Sequence, residues 1–318
     1  MVKRFLSATP RELLSYSGRE LLQSIQSSEG RIILVSARVR AANMVDGVAN
    51  AELAAAFGAD LILLDTYDVT APNIPGWPSK DPAADRPYAD VQVPKGVGFT
   101  LREIRERIGR PVGVLLGVAE PDHVTELTAC YGNIVATPEI AKAAVDAGAH
   151  FLSMAGWDAP ELYLDAIRGI RAAIGPDPII EFNRPHGPGL MNFADGSGDL
   201  MSQEEAVELV RAGADIIGIP APATFPGWTV ERCGAIAAVV HKAGALCSMG
   251  VHTSQEGANT QTLEQIALYT KMAGADMHEL GDSGYNERNI PPENILAYGV
   301  AIRGRRHHYR RMAMSPMR

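Results

Sequence analysis

The chain has 318 residues, of which 46% are hydrophobic and 21% charged, with a formal net charge of −8. That composition supports a packed core and excludes wholesale disorder. The acidic balance argues against nucleic acid as the main partner, because a phosphate backbone demands a basic surface.

No run of about 18 uncharged apolar residues occurs, so no membrane span is expected. The start, with Lys3 and Arg4, is basic but lacks the long apolar stretch of a signal peptide. Cys130, Cys233 and Cys247 show no metal-binding spacing, and a sparse, odd set fits a reducing compartment. A cytoplasmic protein is expected.

In chain order, Thr9 to Glu12 and Ser17 to Glu20 are capping boxes, a hydroxyl followed three residues later by Glu. They predict helices ahead of the first strand, Arg31 to Ser36. A pattern then recurs. Phe57-Gly58-Ala59-Asp60, Ala147-Gly148-Ala149-His150, Ala212-Gly213-Ala214-Asp215, Ala243-Gly244-Ala245-Leu246 and Ala273-Gly274-Ala275-Asp276 each precede a short apolar run. Each reads as a helix end, a glycine turn and an immediate buried strand.

Further strands are predicted over Val112 to Leu116 and Ile179 to Phe182. Capping boxes at Thr100 and Ser202, and Thr137-Pro138, mark further helix starts. Eight alternating units with short helix-to-strand turns predict a (β/α)8 TIM barrel. An open dinucleotide-binding sheet is disfavoured, since no Gly-x-Gly-x-x-Gly follows a strand. Residues 1–30 read as a helical cap, 31–300 as the barrel and 301–318 as a basic C-terminal extension.

In such barrels the strand-to-helix loops build the site. The connections 66–98, 117–136 and 183–201 are long, and the first, carrying Trp77 and Tyr88, is the candidate lid. The last two strands end in Gly250 to Ser254 and Gly281 to Gly284. Glycine with small hydroxyls lets backbone N–H groups approach an anion, so Gly250, Thr253, Ser254, Gly281, Ser283 and Gly284 are candidate anion-binding residues.

Asp65 closes an apolar strand. It is a general base or metal ligand, or else a cap or a partner of Arg38. Glu181 lies inside an apolar run, which makes it an acid of raised pKa, a metal ligand or half of an arginine pair. His252 shares a strand face with Ser248 and Gly250, so it either exchanges protons above small residues or serves as hydrogen-bonded scaffolding. Glu279 and Asp282 have opposite parity, so only one can face inward, and Asp282 is either catalytic or a brace of its turn. Arg38, Asn183 and Arg184 are candidate substrate contacts.

None of the lysines terminates a predicted strand, which weighs against a Schiff-base aldolase. The expected chemistry is acid–base, carried by Asp65, Glu181, His252 and Asp282, with Asp65 and Glu181 able to hold Mg²⁺ and no organic cofactor. The expected partner is a small anionic metabolite. The last segment, with Tyr298, Tyr309, Met312 and Met314 among arginines, reads either as a face docked on acidic neighbours or as a contact building a homo-oligomer.

The segments Asn50 to Asp65, Thr253 to Ala258, Lys271 to Asp276, Gly281 to Tyr285 and Ile302 to Ala313 resemble a bacterial family of TIM-barrel proteins. Its members are called phosphonomutase-like or, in places, haloacid-dehalogenase-like hydrolases. The resemblance implies kinship with the phosphoenolpyruvate mutase and isocitrate lyase group, which uses Mg²⁺ to make or break C–P or C–C bonds and often exchanges its last helix between subunits. It therefore implies a lyase, mutase or isomerase. That group's Asp-x-Asp-x-Gly and Lys-Lys-Cys-Gly-His signatures do not occur here.

Overall fold

The computed structural model describes residues 2–85, 94–119, 123–124, 132–156, 160–184, 200–281 and 289–318. Eight parallel strands close into a barrel in sequence order, β1 to β8, as the alternating pattern predicts. They are β1 Ile32–Arg38, β2 Leu61–Asp65, β3 Val112–Val118, β4 Phe151–Gly156, β5 Ile179–Asn183, β6 Ile216–Pro220, β7 Leu246–Gly250 and β8 Met277–Leu280. Around them the helices are α1 Pro10–Ser15, α2 Gly18–Gln26, α3 Asn50–Ala56, α4 Leu101–Ile108, α5 Pro138–Asp146, α6 Pro160–Ile174, α7 Gln203–Ala212, α8 Val230–Lys242, α9 Thr260–Met272 and α10 Pro292–Ala313.

The predicted caps form: Thr9, Ser17 and Thr100 accept from the N–H three residues on, and Glu12, Glu20 and Glu103 return the bond. The repeated Ala-Gly-Ala turns work through left-handed glycine. Gly58, Gly148, Gly213, Gly244 and Gly274 all have φ between 91° and 119°.

Alternation along each strand sorts the side chains into two cores. Ile33, Val35, Ile62 and Leu64 face the outer helices. Ile32, Leu34, Leu61, Leu63, Ile179 and Met277 join an inner cluster that Phe5, Leu13, Leu21 and Ile25 seal from below. The predicted cap therefore plugs the N-terminal end, and the opposite mouth is left for the loops. The lid connection is laced to itself, with Ile74 N donating to Gly96 O at 3.0 Å and Gly98 N to Pro72 O at 2.8 Å. Trp77 stacks edge-on against Phe99 and donates to Glu52. Tyr88 lies outside the described residues.

The basic C-terminus folds back on its own barrel. Asp60, fully buried just before β2, accepts from Ile33 N at 2.9 Å and pairs with Arg303 and with Arg311, whose Nε is 2.8 Å away. Burial alone would push this carboxyl up, but the guanidiniums of Arg303, Arg311 and Arg110 win and hold it below its usual range. Arg110 spans the carbonyls of Ala55, Ala59 and Arg311. His308 lies between Gly58 and Gly299, where a Cβ would come within 2.6 Å and 2.1 Å of its ring. Of the expected subunit anchors, Tyr298 and Met314 are buried inside this chain, so they serve its own fold; Tyr309 remains 50% exposed. Helix α10 crosses position 300 and breaks its dihedral pattern only at Gly304. No described helix is long and apolar enough to cross a membrane.

Candidate functional site

The parity that sends Leu61, Ile179, Leu246 and Met277 inward continues to the C-terminal mouth. It puts Arg38, Asp65, Ser153, Glu181, Asn183, Ser248 and Glu279 on the interior face of their strands. Small residues make room for them. A Cβ on Gly218 would stand 1.7 Å from Asn183 Oδ1, and one on Gly250 would stand 2.5 Å from the His252 ring.

Glu181 is fully buried, and Ser248 Oγ donates to its Oε1 at 2.6 Å. Its Oε2 is buried without a hydrogen-bond partner. Burial and then the charge of Glu279 push this carboxyl up to about 8, against the opposing influence of the Ser248 and Ser153 hydroxyls and of His252. It is therefore largely protonated at neutral pH. Of the readings open from sequence, the raised-pKa acid is the one this environment produces.

Beside it, Asn183 Nδ2 donates to Glu279 Oε2 at 3.0 Å and to Ser153 Oγ at 3.2 Å. His252 Nε2 lies 3.5 Å from Glu279 Oε1. With its side chain 12% exposed against 2% for Glu279, His252 is the more accessible of the two. His252 has φ +39°, a left-handed backbone that non-glycine residues adopt at a cost of order 1–3 kcal/mol. Thr66 and Ala223, near the ends of β2 and β6, share that conformation, so strain gathers at the mouth.

Asp65 accepts from Arg38 Nε at 2.5 Å, and Arg38 N donates to Asn289 Oδ1 at 3.2 Å. The arginine-partner alternative for Asp65 thus holds. A Mg²⁺ ion at Asp65 and Glu181 would have to displace that guanidinium and strip a proton from Glu181, whereas magnesium favours anionic oxygens. Among the described residues no three His, Cys, Asp or Glu side chains are grouped to hold a metal. The described residues do not fit a magnesium site at this pair.

Other candidates sit elsewhere. Arg184, next to inward-facing Asn183, points outward and donates to the Tyr163 hydroxyl at 3.0 Å, with Glu205 at 3.6 Å. That parity removes it from the mouth. Thr253 Oγ1 donates to Gln255 within its own turn, and Ser254 is exposed. The N–H of Gly281 is committed to Glu256 Oε1 at 2.7 Å rather than open to a ligand. Asp282, Ser283 and Gly284 lie outside the described residues.

Sequence reasoning missed Glu256 altogether and treated Ser248 only as a small residue. It named Glu279 without placing it in the catalytic set, although the spacing Met277, Glu279, Gly281 carried the signal.

The carboxyl transferase domain of Rhizobium etli pyruvate carboxylase, solved with pyruvate and biocytin, is similar at 15% identity over 99% of this chain and 53% of that one, with a TM-score of 0.49. The chain thus spans about half the length of that structure. A Coccidioides immitis protein assigned as a fructose-1,6-biphosphate aldolase is similar at 16% identity over 88% of this chain and 91% of that one, with a TM-score of 0.48. Likeness of this degree says nothing of chemistry. No curated protein matches the sequence. A family model does match, over residues 6–318, and the chain belongs to the family that it describes, the Domain of unknown function DUF7916.

Proposed function

We propose that this protein is an enzyme that moves protons on a small anionic metabolite, a lyase, mutase or isomerase working at the C-terminal mouth of the barrel. The observation that carries the reading is a buried acid set beside a more accessible imidazole–carboxylate pair at the mouth. Glu181 is a buried acid held up to about 8, with one oxygen uncommitted, beside Glu279, whose negative charge contributes to that shift. A neutral buried acid near a base supplies the two halves of proton transfer, Glu181 giving a proton and His252 taking one. His252 is the group placed to touch substrate. Glu279 orients its ring and stabilises the imidazolium once it has taken a proton. Asn183 fixes Glu279, and Arg38, steadied by Asp65, offers the positive charge for the metabolite's carboxylate or phosphonate.

The resemblance to phosphonomutase-like proteins narrows the substrate to phosphonates and 2-oxo or dicarboxylic acids. The Arg38–Asp65 pair and the protonated state of Glu181 favour the metal-independent form of this chemistry. The test is solvent-deuterium incorporation, followed by NMR, into pyruvate, oxaloacetate, malate and phosphonopyruvate. Exchange is expected with wild-type protein in the presence of chelator and lost in His252→Asn and Glu279→Gln. Thermal stabilisation by these acids that those two substitutions leave intact, with no exchange, would instead favour a non-catalytic metabolite-binding protein.

A further inference from the structure

The ends of β7 and β8 form the turn pair where a TIM barrel commonly receives a phosphate. Here that place holds a side chain of the protein. Glu256 belongs to the short 3-10 turn Ser254–Gly257 and is fully buried. Its Oε1 accepts from Gly281 N at 2.7 Å and from His252 N at 3.3 Å, so one carboxylate oxygen bridges the chain leaving β8 and the chain leaving β7. The turn itself is held in place. Glu256 N donates to Thr253 O at 3.0 Å, and Asn294 Nδ2 donates to Glu256 O at 2.8 Å. Gly281, at φ +110°, passes so close to β1 that a Cβ would lie 2.2 Å from Ser36 O. Backbone N–H groups converging on one point from two strand ends are what an anionic oxygen requires.

We infer that these N–H groups are an anion site which the chain fills with its own Glu256 carboxylate, making Glu256 the positioning residue for His252 and excluding substrates that anchor a phosphate at the β7 and β8 ends. Two consequences follow. Glu256 offsets the strain of the left-handed backbone at His252 and so sets the height of its imidazole above Gly250. The negative charge of the substrate must then be met elsewhere in the mouth, on the Arg38 side, which points to carboxylates without a phosphate ester. That substrate clause rests on the proton-transfer reading; the self-filled anion site does not.

The experiment compares wild-type protein with Glu256→Ala and Glu256→Gln, using sodium formate, acetate and inorganic phosphate at constant ionic strength. In Glu256→Ala the melting temperature is expected to fall by several degrees and to recover in part with millimolar formate or acetate, while wild type stays flat. NMR is expected to place the rescuing anion at the amides of His252 and Gly281. Glu256→Gln keeps an acceptor oxygen without the charge, so it is expected to retain fold and His252 geometry while lowering the His252 pKa, a shift that a purely structural role would not produce.

A folded Glu256→Ala that no anion rescues would overturn the assignment. So would wild-type His252 and Gly281 amides that shift on adding phosphate. Should Glu256→Ala fail to fold, an unchanged His252 titration in Glu256→Gln would overturn it as well. Rescue in a protein that shows no deuterium exchange on any acid would leave the anion site standing and remove only the proposed activity.

Discussion

Replacing Glu181 by Gln isolates the charge state of the buried acid. Glutamine keeps the carbonyl that accepts from Ser248 and stays neutral at every pH, as the protonated acid does at low pH. In the wild type the unfolded chain releases this proton near pH 4.5, whereas the folded chain holds it to about 8. Folding therefore takes up a proton between these values. Stability is fully present below pH 4.5, falls by about 1.4 kcal/mol for each unit as pH rises, and levels off above pH 8. Over the whole window the loss is on the order of 5 kcal/mol, a large share of a typical domain's net stability. Urea unfolding followed by far-UV circular dichroism at pH values from 5 to 9 measures it. Glu181→Gln is expected to match the wild type within about 1 kcal/mol near pH 5 and to exceed it increasingly toward pH 8 and above. Parallel curves for the two proteins would refute the claim that Glu181 is held neutral. Because the charge of Glu279 supports the shift, Glu279→Gln should move the wild-type window to lower pH.

Gly218→Ala should force Asn183 away from Glu279, costing roughly 1–3 kcal/mol and weakening ligand response in a thermal-shift assay; a neutral effect on both would contradict the packing. Asp60→Asn leaves Arg303, Arg311 and Arg110 buried around a neutral group and should cost about 3–5 kcal/mol by urea unfolding. Arg184→Ala should leave binding of the small acids unchanged, since its guanidinium serves Tyr163 and Glu205, whereas Arg38→Ala should abolish that binding, both read by calorimetry. Exhaustive chelation should alter neither the melting temperature nor deuterium exchange, and a loss of exchange restored by Mg²⁺ would return the metal to the mechanism.

The barrel was legible because its signals are local and repeated. Glycine turns such as Gly148 and Gly213 sit between a helix end and an apolar run, and a single chain position reveals both. Strands β2, β6 and β8 start where the apolar runs start, β7 starts one residue earlier at Leu246, and β3 and β4 run further than their cores suggested because Gly117 and Ala155 extend the ladder without bulk. Inward parity was also readable: applied along β5, it puts Glu181 and Asn183 on the inner face and sends Arg184 outward. What sequence could not show is pairing between distant positions. Nothing local to Glu256 indicates that Gly281, 25 residues later, turns its N–H toward it. Nothing near Tyr298 or Met314 indicates that arginines beside them close on Asp60 and draw those side chains inward.

The lock at Asp60 bears on the order in which the molecule assembles. Its carboxylate is laid down early, yet the Arg303 guanidinium that neutralises it lies 243 positions further along. Until that stretch arrives, Asp60 has only Arg110 of the three guanidiniums that compensate its charge in the finished fold, which disfavours a stable early half-barrel. The same stretch reaches the other end of the chain, where Arg311 donates to Phe5 O and Arg11 N to Arg318 O. The final helix thus ties the first residues of the chain to the approach to β2, and trimming it is expected to destabilise that part of the barrel.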